Sequence, residues 1–279
     1  TGGLVGNAQG TITGSYATGA VSGSANYSGG LVGALFTPGS ISSSYATGAV
    51  NSTYATGYVG GLIGAANPLS VVSNSYATGA VTGAYWVGGL LGYTNSTVSG
   101  SYASGAVTGS SGAVRVGGLI GSMFNGGTVS DSYATGAVSG GTYRGGLVGM
   151  VNSTTKYSIS NTYATGVVSS SGATYYGGLV GSVVSTGTGS NGRITLGGQV
   201  TEYTGGSVVG TELLLAGTGS SQVQLVQPGN AVGTLAGSGL AQLYLGNTTA
   251  LTVGTLGSTQ GLTSNSTIDL YTTQGDLTL

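Results

Sequence analysis

The sequence has no cysteine and no histidine, and only four cations and five carboxylates among 279 residues. Without histidine or cysteine there is no Ser-His-Asp or Cys-His nucleophile, no thiol chemistry and no zinc site of the usual ligands. Four cations cannot neutralise a run of phosphates, which excludes nucleic acid as a partner. A net charge of −1 gives neither long-range steering nor the repulsion that keeps molecules apart, so self-association is expected. No apolar run approaches the roughly 18 residues of a transmembrane helix. The first residues lack the charged and apolar regions of a signal peptide, so none is expected. The absence of cysteine suits an extracellular bacterial fibre as well as a cytosolic protein.

Glycine is what the chain has in excess: 60 residues, against a usual share of about 7%. Such a composition often means disorder. Here 39% of residues are hydrophobic, mean hydropathy is +0.30, and the glycines recur in fixed phrases. The phrase Gly-Gly-Leu-(Val/Ile/Leu)-Gly begins at Gly2, Gly29, Gly60, Gly88, Gly117, Gly145 and Gly177, in steps of 27 to 32 residues. Between copies lies Ser-Tyr-Ala-Thr-Gly-Ala-Val, with small variations, whose tyrosines are Tyr16, Tyr45, Tyr76, Tyr102, Tyr133 and Tyr163. A near-duplicate, Tyr54-Ala55-Thr56-Gly57, precedes the third Gly-Gly phrase and reads as a small insertion.

Val, Ile, Thr and Tyr dominate the repeat, glycine is costly inside a helix, and no 3.6-residue period exists, so the repeat is strand-forming. The residue before each Ser-Tyr phrase is Gly14, Ser43, Asn74, Gly100, Asp131 or Asn161. Gly, Asn and Asp tolerate a left-handed backbone, so this column predicts a sharp corner between short strands. Ile12, Ile41, Val72, Val98, Val129 and Ile159 then point inward before the corner, the Ser and Ala of each phrase inward after it, and Tyr outward. One repeat becomes one coil of about three short strands. Stacked coils with strands about 4.8 Å apart make a parallel β-helix, or β-solenoid, with identical side chains in columns. A single coil buries too little to offset its chain entropy, so stability must grow with coil number.

Composition shifts after about residue 190. From Ile194 the tyrosine phrases vanish, and Val232-Gly233-Thr234-Leu235 recurs as Val253-Gly254-Thr255-Leu256, a step of 21. The expectation is about seven coils of roughly 29 residues over 1–190, followed by about four of roughly 21 over 191–279, in one continuous all-β rod. No polar cap closes the sequence at either end, which leads to the expectation that the rod continues, in a longer chain or by end-to-end joining.

A second aromatic column stands two residues before the Gly-Gly phrases: Tyr27, Tyr58, Trp86, Arg115, Tyr143 and Tyr175. Aromatics one coil apart can stack, and Arg115 is placed for cation–π contact with Trp86 and Tyr143. Both columns have two readings, a surface that binds glycans or apolar surfaces and a ladder that stiffens the rod. The Thr column (Thr18, Thr47, Thr78, Ser104, Thr135, Thr165) is similar to ice-binding arrays, although corner hydrogen bonding explains it equally. Gly187–Gly192 matches Gly-x-Gly-x-x-Gly by chance in so glycine-rich a chain, with no strand-loop-helix unit around it. The carboxylates Asp131, Glu202, Glu212, Asp269 and Asp276 are dispersed, so no acid/base pair, calcium repeat or other cofactor site is expected, and no enzyme. Asn-x-Ser/Thr sequons at Asn26, Asn51, Asn95, Asn152, Asn247 and Asn265 follow from the composition.

The paired phrases resemble the GLUG motif of large bacterial surface exoproteins over roughly residues 2–181. The stretch Glu212–Leu279, with Pro228–Leu235 and the closing Gly275-Asp276-Leu277-Thr278-Leu279, is similar to repeats of filamentous-haemagglutinin-type adhesins. The resemblance implies a secreted or surface protein of a Gram-negative bacterium, exported through an outer-membrane partner. The expected function is structural, as a fibre or adhesin stalk whose partner is itself, laterally or end to end. Binding of surface glycan through the aromatic columns, and ice binding, stand as alternatives.

Overall fold

The β-branched residues of the repeat form short strands separated by glycine, and these strands stack one coil upon the next. The computed structural model covers Thr1–Leu279 and describes all residues but 156, 170, 186–192, 199, 202–206 and 227–229. Among the described residues there is no helix, and every strand pairing is parallel except that of Thr255–Leu256 with Thr259–Gln260. The fold is a parallel β-solenoid. Val5 pairs with Val32, Val32 with Ile63, Ile63 with Leu91, Leu91 with Ile120, Ile120 with Val148 and Val148 with Val180. Those partners are 27 to 32 residues apart, so the Gly-Gly spacing is the coil length.

The third, fourth and fifth coils each have five short strands rather than the three expected; in the first and second, the two strands before the corner merge into one, Val5–Thr13 and Val32–Ser42, which leaves four. The third comprises Ile63–Ala66, Val71–Ser73, Tyr76–Ala77, Val81–Gly83 and Trp86–Gly88. The additional corners arise because the coil encloses two cores. The larger holds Leu31, Leu62, Leu90, Leu119 and Leu147, the Ile41–Ile159 column and the alanines of the tyrosine phrase. The smaller is built from valines, among them Val50, Val59, Val81, Val87, Val107 and Val116. The Gly-Gly phrase lies where backbones cross between them. A Cβ on Gly60 would stand 2.0 Å from the Ile63 carbonyl oxygen, and one on Gly61 2.1 Å from the Gly89 oxygen. Neither glycine has a positive φ, so space and not backbone conformation requires them. Each buried Leu or Val contributes about 1.5–3 kcal/mol.

The corner residues Gly14, Ser43, Asn74, Gly100 and Asp131 adopt φ values of 58°, 49°, 48°, 56° and 49°. At Asn161 the chain runs as one strand, Tyr157–Ala164, with a register break against its neighbour between Ile159 and Thr162; the Asn161 side chain is outside the described residues. Immediately after each corner the serine side chain turns inward and forms a ladder. The N–H groups of Ser15, Ser44, Ser75 and Ser101 donate to the hydroxyls of Ser44, Ser75, Ser101 and Ser132 in the next coil, all at 3.1 Å. The last four hydroxyls donate in turn to the carbonyls of Ser42, Ser73, Ser99 and Ser130 at 2.6–2.8 Å. Buried polar groups are thereby paired between coils.

Beyond Ser185 the strands join the same sheet, Val183 pairing with Val208 and Ile159 with Leu196. After the long step of 37 residues from Ile159 to Leu196, spacings fall to between 18, for Leu235 with Val253, and 26, for Leu251 with Leu277. The Val-Gly-Thr-Leu recurrence is therefore not the coil period. Val253 stacks on Leu235 and not on Val232, and Thr255–Gln260 then leaves the coil as a hairpin turning at Gly257, whose φ is 66°. Buried asparagines make the corners here: Asn230 accepts from the Val208 N–H and Asn247 from that of Val232.

Candidate functional site

The coil register arranges side chains in lines along the rod, so any extended site is built from columns. Tyr16, Tyr45, Tyr76, Tyr102, Tyr133 and Tyr163 pair in register. Their rings face outward and stack at 4.8–5.2 Å with interplanar angles of 1–8°. The Thr column beside them is exposed throughout. This face is flat, neutral and hydroxyl-rich.

The second column, Tyr27, Tyr58, Trp86, Arg115, Tyr143 and Tyr175, is also in register. It is not a uniformly exposed stripe. Trp86 is only 8% exposed, because Tyr58, Tyr85, Tyr93 and Phe124 surround it at centroid distances of 4.5, 5.0, 5.6 and 5.3 Å. Arg115 lies over Trp86 at 4.6 Å, as its place in the column implies. Its second ring is Phe124 at 5.1 Å and not Tyr143, because its guanidinium turns to donate to Ser122 Oγ at 2.9 Å. Tyr143 stacks instead on Tyr175 at 4.8 Å. Tyr85, Tyr93 and Phe124 lie outside the repeated phrases, and only the adjacency of Tyr85 to Trp86 in the sequence could have pointed to them.

The stack opens at one end. Tyr58 is nearly parallel to Trp86, at 6°, but Tyr27 is tilted by 53° from Tyr58 with centroids 5.6 Å apart. In the wedge lies a cleft of about 320 Å³ lined by Asn26, Tyr27, Thr56, Tyr58 and Tyr85. The insertion at Tyr54–Gly57 supplies its Thr56 wall, held by the Gly57 N–H donating to the Tyr54 carbonyl at 3.2 Å. Burial raises the Tyr58 phenol above its ordinary pKa, with smaller contributions in the same direction from Tyr27 and Tyr85. Tyr93, whose ring centroid is 5.5 Å from that of Tyr58, is raised by burial and then by Tyr58 and Tyr27.

A second cleft, of about 440 Å³, is formed mainly by the backbone of Gly109–Val114, Gly140–Thr142 and Gly172. Nearby, Arg144 occupies the inward valine column after Val116 and is 2% exposed. Its guanidinium donates to the carbonyls of Gly140, Gly141 and Ser169. Among the described residues no cluster of three or more His, Cys, Asp or Glu could hold a metal ion, and no helix is long and apolar enough to cross a membrane. Glu202 and the Gly187–Gly192 phrase are outside the described residues.

No curated protein and no solved structure matches the chain. The GLUG motif matches three times, at residues 24–51, 55–82 and 112–139, and each match holds one Gly-Gly phrase and the tyrosine phrase that follows it. The chain thus carries three GLUG motifs, two on neighbouring coils and the third after one intervening coil, within a parallel β-solenoid, and this combination fits a structural or adhesin-like surface protein.

Proposed function

We propose that the chain is shaft material of an extracellular bacterial fibre or adhesin stalk, working by stiffness, self-assembly and surface contact, with no catalysis of its own. The observation that carries this reading is the unbroken register of the tyrosine column from Tyr16 to Tyr163 together with the serine ladder beneath it. Both tie each coil to the next, so bending the rod means breaking stacked rings and hydrogen bonds in step. The flat neutral Tyr/Thr face and the net charge of −1 favour lateral contact between copies. Residues 1–190 and 191–279 serve as wide and narrow parts of one shaft, outside a Gram-negative cell, delivered through an outer-membrane partner.

Immunogold labelling of intact producing cells, with and without the gene, tests the proposal. Label on surface projections that disappear on deletion is the expected result. Label confined to the cell interior would overturn it.

A further inference from the structure

We infer that the cleft between Tyr27, Tyr58 and Tyr85 binds one pyranose unit of a neutral glycan. Tyrosine offers an apolar ring face and a polar tip. Sugars match that pairing, with a C–H face for the ring and hydroxyls for the surrounding donors and acceptors. Here the stack that continues from Tyr58 to Trp86 is broken on the other side, where Tyr27 swings 53° out of parallel. Tyr27, Tyr58 and Tyr85 remain only partly buried, in contrast to Trp86 behind them. At the rim, the exposed Asn26 amide offers donors and an acceptor and the exposed Thr56 hydroxyl offers both.

The lining selects the ligand class. No charged side chain lines the cleft, and the nearest guanidinium, Arg115, is engaged with Trp86, Phe124 and Ser122. An acidic sugar would find no charged side chain in the lining to pair with, whereas a neutral one needs none. A volume of about 320 Å³ is at the small end of ligand sites, which suits a single ring of a longer chain. The insertion Tyr54–Gly57 distinguishes this coil from its neighbours. A rod that needed only uniform columns has no use for it, and here it closes one side of the cleft.

The test is titration calorimetry of the full chain with cellohexaose, maltohexaose and N-acetylated chitohexaose, with polygalacturonate as the acidic comparison. Saturable binding of at least one neutral oligosaccharide is expected. The double variant Asn26→Ala/Thr56→Ala, which removes two exposed side chains without touching the stack, should weaken it about tenfold or more. Tyr133→Ala, on the other aromatic column, should leave it unchanged. The inference fails if no neutral sugar binds at millimolar concentration, if only polygalacturonate binds, or if the double variant binds as the parent does. Equal loss in Tyr133→Ala would also overturn it.

Discussion

Gly19 and Gly79 sit in the same heptapeptide, Ser-Tyr-Ala-Thr-Gly-Ala-Val, and neither has a positive φ. Local propensity therefore treats Gly19→Ala and Gly79→Ala alike, while stacking separates them. A Cβ on Gly79 would stand 2.0 Å from the Gly48 carbonyl oxygen and 2.9 Å from that of Thr47; on Gly19 it meets nothing within 4 Å. Relief at Gly79 requires the coils to part by about 1 Å, since Cβ contacts under 3.0 Å essentially never occur. The adjacent bonds Thr78 N–H to Ala46 O, at 3.0 Å, and Tyr76 N–H to Ser44 O, at 3.1 Å, would then stretch beyond hydrogen-bonding distance. Two such bonds at about 1 kcal/mol each, with about 1–3 kcal/mol of overpacking, give a loss of about 3–5 kcal/mol. Gly19→Ala instead reduces the freedom of the unfolded chain and gains about 0.4–1 kcal/mol. Urea unfolding gives the difference, and native-state hydrogen exchange localises it to the coils flanking Gly79. Stabilities of the two variants within about 0.5 kcal/mol of each other would refute inter-coil contact as the reason for this glycine column.

Tyr157 is 3% exposed and its hydroxyl has no partner among the described residues, so Tyr157→Phe should stabilise the protein by about 1 kcal/mol, read by urea unfolding. Burial holds the Tyr157 phenol well above its ordinary pKa of 10.0. A raised phenol contributes stability that is complete below the unfolded pKa and lost as pH rises above it, so thermal stability should fall from about pH 10 upward, and less steeply in Tyr157→Phe. Arg144→Ala removes the donor to the half-buried carbonyls of Gly140, Gly141 and Ser169 and leaves a gap in the valine column, which should cost about 1–3 kcal/mol, with increased hydrogen exchange in the strands that flank it. Trp86, the single tryptophan, should emit at short wavelength and resist acrylamide quenching; easy quenching would contradict its enclosure.

Much of the fold is legible because repetition turns a sequence period into a coil length. The left-handed corners at Gly14, Asn74, Gly100 and Asp131 follow from residue types that tolerate positive φ, and that at Ser43 from its place in the same column. The count of strands per coil is less accessible, since the additional corners differ in sequence from coil to coil, with positive φ at Leu69, Gly112, Gly126, Gly140 and Gly141 and at no fixed place in the repeat, and depend on the second, valine core. The serine ladder is hidden for a related reason: the partner of Ser44 is Ser75, 31 residues away, and only the coil register brings them together. Arg115 is readable as a cation–π group against Trp86, but Phe124 is not, because it stands at the far end of the strand Ile120–Phe124, beyond the repeated phrase in which that strand begins. In the narrow coils the Val-Gly-Thr-Leu recurrence suggests a step of 21 residues, whereas the backbone sets Leu235 on Val253, 18 residues away.

Cryo-electron microscopy of the protein in its native preparation reads the structural role most directly. Continuous filaments are expected, with a spacing near 4.8 Å along the filament axis from strands lying across it. Discrete particles that never join, or filaments without that axial spacing, would contradict a shaft built from stacked coils.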